Sequence, residues 1–477
     1  IRGGKKAVTY FMSAAIKHDA GNMKPLSKDY YSYNNNINVI RYDFVNNLDI
    51  KATPTTKVSL GLNVSLRDWK GPDVAADDLF SMSREASPVD FPVVFPARSS
   101  NELYPLWGGK SGGVYNNGFR NPVAEYVKGY QTEFASTLNA NLRLEQKLDM
   151  ITDGLKFNVL ASFKNWSNTS VGRTAGYNQF EVSDYNSGNG EYVLNRVGAE
   201  MNTALNTTGG STGDRRIFLQ AYLDYSRKFG MHDINAMVLY NQDQYDQNAP
   251  GDLLSSLPRR KQGIAGRFSY AFDNRYLAEV NFGYNGSENF AKGNRFGFFP
   301  SVAVGYNISQ EKFWKPLSEV ISHLKLRASY GLVGNDGIGE RYAYLEDIIL
   351  NSESWQYTTG VNQNITLWGP MWNRFYNPNL TWEVGEKLNI GFDMQLFNDF
   401  NLTVDAFREV RSKIFLKKEN TVPVFVGSGA TKIYDNMGKM KNIGLDFSID
   451  YNKQITNDFF LSFKGTFTYA HNTILER

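Results

Sequence analysis

Apolar and polar residues alternate with a period of two along most of this chain. The stretch 387–410 shows the pattern clearly, because its even-numbered positions are largely apolar and its odd-numbered positions are mostly polar. A period of two is typical of a β-strand that has one apolar and one polar face. Asn398 and Asp399, which favour turns, interrupt the pattern near its middle. The stretch therefore predicts two antiparallel strands joined by a tight turn.

The same alternation recurs on both sides of other short segments that contain turn-forming residues. These predicted turns lie at Pro54, 152–154, 230–232, 273–274 and 456–458. About fifteen strands result from counting the alternating stretches, and helical periodicity is nearly absent outside a short segment at 313–321. The fold class predicted from this pattern is all-β.

The direction of the apolar face decides what such a protein does. A soluble β-sandwich turns that face inward, whereas a membrane barrel turns it outward to lipid. Predicted strands of about 14 residues, at roughly 3.3 Å per residue, are long enough to cross the apolar layer of a membrane. Short turns also alternate with long loops, as in outer-membrane barrels. These long loops are predicted at residues 70–130, 168–214, 245–260, 336–381 and 413–435.

The length of the predicted strands and the alternation of short turns with long loops both favour a transmembrane antiparallel up-and-down β-barrel. The chain contains no run of about 18 apolar residues that would form a transmembrane helix. Aromatic side chains near strand ends are expected to form the interfacial girdles of such a barrel. The residues expected there are Tyr276, Tyr284, Tyr306, Trp382, Phe397 and Phe400.

Composition narrows the classes of function. The 51 Lys and Arg residues nearly balance the 48 Asp and Glu residues, and the net charge of +3 gives no electrostatic basis for a nucleic-acid partner. The chain has no cysteine, which excludes a disulfide framework, Cys-ligated zinc and a thiol nucleophile. Aromatic residues make up 14% of the chain and there are 42 glycines, a mixture that suits amphipathic strands and polar loops.

The sequence shows no pattern that indicates catalysis, and we expect no enzyme activity, cofactor or metal site. It contains no nucleophile elbow, phosphate-binding loop or dinucleotide fingerprint. Asp393 and Asp405 are interpreted as the polar lining of a water-filled interior rather than as an acid–base pair. The glycine-rich stretch 427–432 is interpreted as a loop. None of the four histidines has the spacing of metal ligands: His18, His232, His323 and His471.

Five stretches of the chain carry a family resemblance. They are RFGFFPSVAVGYNISQEKFW (295–314), YNPNLTWEVGEKLNIGFD (376–393), NMGKMKNIGLDFSIDYN (436–452), LKLRASYGLVGN (324–335) and GGKKAVTYFMSAA (3–15). They resemble barrel strands of the SusC/RagA-like TonB-dependent outer-membrane transporters of the Bacteroidota. Their order and spacing together are specific, and the resemblance extends over nearly the whole chain.

The resemblance implies a partial barrel, an energy source and a partner. Members of this family have a 22-stranded barrel whose lumen is closed by an N-terminal plug domain. Residues 1–477 are therefore expected to supply about fifteen of these strands, with the plug and the last strands absent. The implied function is TonB-energised import of oligosaccharides or peptides across the outer membrane, together with a SusD-like surface lipoprotein.

Aromatic residues in the predicted loops are the candidates for ligand contact. They lie outside the alternating pattern, so their rings are expected to be exposed and able to stack on sugars or on peptide side chains. The alternative is that they pack the loops or contact the lipoprotein. The candidate residues are Trp107, Trp355, Tyr357, Trp368 and Trp372.

Basic clusters are expected at the barrel rims. Their side chains either contact outer-membrane lipid and lipopolysaccharide or remain solvated. The clusters are Arg259, Arg260 and Lys261 in one region and Lys417 and Lys418 in another.

Two other function classes remain open. A passive porin or a barrel-anchored adhesin would share the strands but would have no coupling to TonB. A soluble β-rich carbohydrate-binding protein would share the alternation but would bury its apolar face.

Overall fold

The computed structural model describes residues 1–97, 103–112, 120–186, 188, 191–418 and 433–476. Strands dominate these residues. The first half contains β1 (Arg2–Lys5), β2 (Val8–Ala20), β3 (Asn38–Lys51), β4 (Thr56–Pro72), β5 (Val94–Phe95), β6 (Leu106–Gly108), β7 (Gly129–Lys147), β8 (Leu155–Thr174), β9 (Gln179–Asn186), β10 (Glu191–Val197) and β11 (Asn206–Phe229). The second half contains β12 (His232–Gln247), β13 (Arg259–Phe272), β14 (Tyr276–Ser287), β15 (Phe296–Asn307), β16 (Ile321–Asn335), β17 (Asp347–Thr359), β18 (Ile365–Arg374), β19 (Glu383–Leu396), β20 (Phe400–Lys418), β21 (Ile433–Thr456) and β22 (Phe459–Glu476).

Within the described residues, one antiparallel sheet contains 16 strands. Its order is β1-β2-β3-β4-β7-β8-β11-β12-β13-β14-β15-β16-β19-β20-β21-β22. Each strand therefore pairs with the next sheet strand along the chain, which is up-and-down topology. The predicted all-β antiparallel architecture is confirmed, and the prediction of about fifteen strands is one short of the observed number.

Apolar residues of neighbouring strands share one face of this sheet and are widely exposed. Val302 on β15 lies opposite Val280 on β14 and Tyr330 on β16. Val280 is 51% exposed, Val302 is 49% exposed, and Ile390 on the same face of β19 is 56% exposed. A broad apolar face without protein cover among the described residues is the arrangement that lipid solvates in a membrane barrel.

Polar and charged side chains occupy the opposite face. Arg327 on β16 lies between two carboxylates, with Nε 3.1 Å from Oδ2 of Asp393 and Nη2 2.7 Å from Oδ2 of Asp405. Asp393 also accepts a hydrogen bond of 3.1 Å from the hydroxyl of Thr403. Because one guanidinium pairs with both carboxylates, this group has the character of the predicted polar lining rather than of an acid–base pair.

Tight turns lie at one end of the sheet. Asp273, Asn274 and Asn398 have φ angles of 50°, 53° and 60° in these turns, and Asp and Asn adopt such left-handed conformations more readily than most residues. The β15–β16 connection is longer and contains two 3₁₀-helices, Ile308–Gln310 and Lys312–Leu317. The second of them overlaps the helical segment predicted at 313–321.

The long connections at the other end contain more regular structure than the sequence predicts. Strands β5, β6, β9 and β10 form a second sheet in the order β10-β9-β6-β5, and β17 pairs with β18 in a separate hairpin. In addition, β8 and β11 continue their pairing through residues predicted as loop at 168–174 and 206–214. The α-helices are α1 (Ser27–Tyr30), α2 (Ala76–Glu85), α3 (Pro122–Val127) and α4 (Leu253–Ser256), and a 3₁₀-helix covers Val361–Gln363.

Among the described residues, no helix combines the length and the apolar character that a membrane crossing requires.

One residue expected in an aromatic girdle is instead buried. Trp382 is 7% exposed, and its ring centroid lies 5.5 Å from that of Phe290 and 5.4 Å from that of Phe299. Its indole N–H donates a hydrogen bond of 3.1 Å to the carbonyl of Arg295. The girdle prediction is wrong for Trp382, because this ring belongs to a small core beneath the long connections.

Candidate functional site

The long connections build a compact layer over one end of the sheet. Its largest core is formed by α2, α3 and β6, through Leu79, Met82, Trp107, Ala124, Tyr126 and Val127. The side chain of Asn121 caps α3 by accepting hydrogen bonds from the backbone N–H groups of Val123 and Ala124. Its amide group also donates to the carbonyls of Val93 and Gly108. One buried asparagine thus holds the helix against β6 and the segment beside it.

Trp107 packs inside this core. Trp107 is 2% exposed, and the centroid of its ring lies 4.8 Å from that of Tyr30. The expectation that this ring is exposed to ligand is wrong, because α2 and α3 fold over it. The error has a simple origin, since a residue outside the strand alternation can still be buried when a long connection has its own core.

The β17–β18 hairpin, residues 347–374, is named the arm. It carries the other candidate aromatic residues. Tyr357 is 61% exposed, Trp368 is 51% exposed and Trp372 is 49% exposed. The backbone of Trp355 belongs to β17, but its side chain lies outside the described part of the structure. The arm therefore exposes Trp368 and Trp372 on one face of β18 and Tyr357 on the other face, because Tyr357 lies opposite Leu367. Each face offers rings for stacking or apolar contact.

A buried arginine fixes the base of the arm. Arg374 is 4% exposed, and its Nε donates a hydrogen bond of 2.8 Å to the carbonyl of Leu345. Its Nη1 lies 3.8 Å from Oε2 of Glu340, whose Oε1 accepts a 3.0 Å hydrogen bond from the hydroxyl of Tyr434. The base is therefore joined to β21 of the main sheet, so the arm has a fixed starting position.

These anchoring residues were not predicted. The sequence could have indicated a role for Arg374, because this charged residue stands in the aromatic run WGPMWNRFYNP. If such a run is buried, its charged residue must be paired. Its partner Glu340 lies 34 positions away, and no periodicity connects the two residues.

A polar pocket opens beside α3. Glu125 at its floor is 7% exposed, and its carboxylate contacts Nζ of Lys128 at 2.7 Å and accepts a 2.9 Å hydrogen bond from the hydroxyl of Tyr177. Burial, followed by the charge of Glu125, raises the pKa of the Tyr177 hydroxyl, which therefore stays protonated as a donor. Gln179 and Asn202 also line the pocket. These groups provide hydrogen bonds to a polar ligand.

The layer offers contacts for the recognition of another molecule, by stacking on the arm and by hydrogen bonding in the pocket. Among the residues that the structure describes, no group of three or more His, Asp or Glu side chains could hold a metal ion.

Comparison with known proteins identifies the fold and the family. Residues 83–476 match the family described as TonB dependent receptor-like, beta-barrel. The TonB-dependent receptor SusC of Bacteroides thetaiotaomicron is 26% identical over 411 residues, which cover 80% of this chain and 38% of that protein. TonB-dependent receptor P3 of Formosa agariphila is 25% identical over 472 residues, which cover 92% of this chain and 42% of that protein.

A solved structure of the RagAB peptide transporter matches with a TM-score of 0.70 at 18% sequence identity. The match covers 100% of this chain and 50% of that one, and it shows the shared fold. The chain thus spans between 38% and 42% of the length of the first curated relatives that it matches.

The family match covers most of the chain, and the exposed apolar face agrees with it. The predictions of a transmembrane barrel, of a SusC/RagA-like protein and of an outer-membrane location are confirmed, and the interpretation as a soluble protein is wrong. The chain belongs to the TonB dependent receptor-like, beta-barrel family, within which it is SusC/RagA-like, and it is an outer-membrane protein.

Proposed function

We propose that the protein imports a large nutrient, an oligosaccharide or a peptide, across the outer membrane. TonB supplies the energy, a SusD-like surface lipoprotein closes over the long connections, and the protein moves its cargo without chemical change. Support comes from SusC, which is a TonB-dependent receptor, and from RagAB, which is a peptide transporter. RagAB is a peptide transporter, and the family resemblance of the sequence keeps oligosaccharides as the other class of cargo.

The arm is the observation that carries this proposal. Exposed aromatic residues are usually scattered singly, and a group of them on one element marks a contact surface. Tyr and Trp dominate the energetics of protein interfaces because they bury a large area and lose little conformational freedom. The arm presents Tyr357, Trp368 and Trp372, and its base is fixed by Arg374. A fixed base with an exposed aromatic end suits repeated contact with a lid and with the cargo beneath it.

We expect the double variant Trp368→Ser and Trp372→Ser, which removes two rings from one face of β18, to reduce recovery of the surface lipoprotein with the transporter about tenfold. Loss of two large interface side chains costs on the order of 1.4 kcal/mol or more, which corresponds to that factor. The transporter and its variants are expressed from the transporter's own gene. The measurement is the amount of lipoprotein that co-purifies with each of them from outer membranes. Tyr185→Ser is the matched control, because Tyr185 is 60% exposed on β9, outside the arm.

Uptake in cells with and without TonB tests the transport claim separately. If growth on the cargo requires both TonB and an intact arm, the import proposal is supported. Equal uptake in a strain that lacks TonB would instead indicate a passive porin, and unchanged lipoprotein recovery in the double variant would exclude the arm as the lid contact.

A further inference from the structure

The lipid-facing side changes character along one row of cross-strand pairs on three neighbouring strands. Tyr240, Ile264 and Tyr284 lie side by side on β12, β13 and β14, and they are 38%, 44% and 43% exposed. The next lipid-facing positions toward the long connections on β12 and β13 are Gln242 and Gln262, which lie opposite each other. The apolar belt therefore ends here, and side chains that form hydrogen bonds replace it.

A groove lies on this boundary. Gly286 on β14 is opposite Gln262, and a Cβ atom at Gly286 would lie 2.6 Å from the ring of Phe296, so the absent side chain leaves space for that ring. Ile217 and Phe296, which are 47% and 43% exposed, form the apolar flanks of the groove. Polar side chains lie between them, because Ile217 is in register with Gln244 and Arg260, and Phe296 is in register with Gly286 and Gln262. The groove therefore has a polar centre between two apolar flanks.

Arg260 provides the cation of the polar centre. Its side chain is 57% exposed, and its Nε donates a hydrogen bond of 3.2 Å to Oε1 of Gln244. The carboxylate of Glu288, which also lines the groove, forms an ion pair with Nη1 at 3.9 Å, a distance too long for a hydrogen bond. Arg215, the next cation on this face, is paired with Asp246 at 3.4 Å. Gln244 thus orients the guanidinium of Arg260. The Nη groups of Arg260 can still donate hydrogen bonds to an anion.

We propose that this groove binds a phosphorylated glycolipid of the outer leaflet. A groove on the lipid-facing side of an outer-membrane barrel contacts lipid rather than cargo dissolved in water. The phosphate accepts hydrogen bonds from the guanidinium of Arg260, which suits that anion by its planar arrangement of donors. Sugar hydroxyls contact the glutamine side chains, and acyl chains lie against Ile217 and Phe296. This inference needs the membrane location only and is independent of the cargo.

Arg260→Gln tests the proposal, and Arg259→Gln is its matched control. Arg259 is adjacent on β13 and lies opposite Tyr245, with its guanidinium 5.4 Å from the centre of that ring. Successive residues of a strand point to opposite faces, so Arg259 lies on the interior side. Both variants remove one positive charge from the same rim. Only Arg260→Gln removes it from the groove.

The protein is expressed from its own gene, purified in mild detergent and mixed with purified lipopolysaccharide. The measurement is the amount of lipopolysaccharide that each molecule of protein retains. We expect Arg260→Gln to lower retention at least about fivefold, as the loss of a charge-assisted hydrogen bond of roughly 1 kcal/mol or more implies. Arg259→Gln is expected to retain the wild-type amount. Unchanged retention in Arg260→Gln, or an equal loss in both variants, would overturn the proposal.

A second pair of substitutions guards against misfolding of the arginine variant. Gln242→Leu and Gln262→Leu leave the net charge unchanged and remove only hydrogen-bonding groups from the groove. Together they are expected to lower retention about threefold, on the scale of one net hydrogen bond. A shift in gel mobility on heating verifies that each barrel is folded, and full retention in this double variant would also count against the groove.

Discussion

Val302→Arg is expected to lower the free energy of unfolding of the membrane-inserted protein by about 2–4 kcal/mol. This is the range for a cation placed near the middle of the lipid-facing side of a barrel. Val302 lies near the middle of β15, between Val280 and Tyr330, and its side chain is about half exposed. In a water-soluble sheet a half-exposed position would tolerate the same change at a cost within about 0.5 kcal/mol. The size of the effect therefore identifies the solvent on that face.

Ser301→Arg is the control for this prediction. Ser301 is the adjacent residue on β15, so its side chain points to the interior, and its cross-strand partner is Gly331, which has no side chain to obstruct an arginine. We expect a loss of less than about 1 kcal/mol, because substitutions in a lumen leave the lipid contacts intact. Denaturant unfolding in lipid vesicles measures both values. Equal costs for the two variants would contradict the assignment of the two faces.

Trp107→Ala is expected to destabilise the loop layer by about 3–5 kcal/mol, the usual cost of truncating a buried tryptophan to alanine. Trp107 is 2% exposed and contacts Tyr30, and it shares a core with Val127 at the end of α3. Its removal leaves a cavity that α2 and α3 cannot fill without moving. Among the described residues, the members of this core lie outside the strands of the main sheet, so the loss is expected to be local.

Hydrogen exchange of the amides of α3 measures this local loss. The amide of Glu125 donates to the carbonyl of Asn121 and that of Lys128 donates to Ala124, so both exchange slowly while the core is intact. Trp368→Ala is the control, because Trp368 is 51% exposed on the arm and its loss is expected to change exchange in α3 by less than about 0.5 kcal/mol. Slow exchange retained in Trp107→Ala would show that the core does not depend on this ring.

The sheet was predictable because one local rule determines it. Alternation with a period of two predicts each strand separately, and turn-forming residues such as Asn274 and Asn398 mark the tight ends. Antiparallel pairing of consecutive strands then needs no information about distant parts of the chain. The strand β1 is short and adds one strand to the predicted number.

The loop layer was not predictable by the same rule, since its contacts join residues far apart in sequence. Trp107 lies in a core with α2 and α3, and the partners Arg374 and Glu340 are separated in sequence by most of the arm. Two candidate aromatics in similar loop contexts, Trp107 and Trp368, therefore have opposite exposures. Only the packing of the connections distinguishes a buried ring from an exposed one, and that packing leaves no periodic trace in the sequence.

The central claim is that the two faces of the sheet contact different solvents, lipid on one side and water on the other. The chain contains no cysteine, so a single introduced thiol carries a spin label without interference. Labels at Val302→Cys and Ile390→Cys are expected to collide with oxygen dissolved in the bilayer, and labels at Ser301→Cys and Asn389→Cys with a water-soluble nickel chelate. Collision with the nickel chelate at all four positions, or the reverse assignment, would contradict this account of the protein as a membrane barrel.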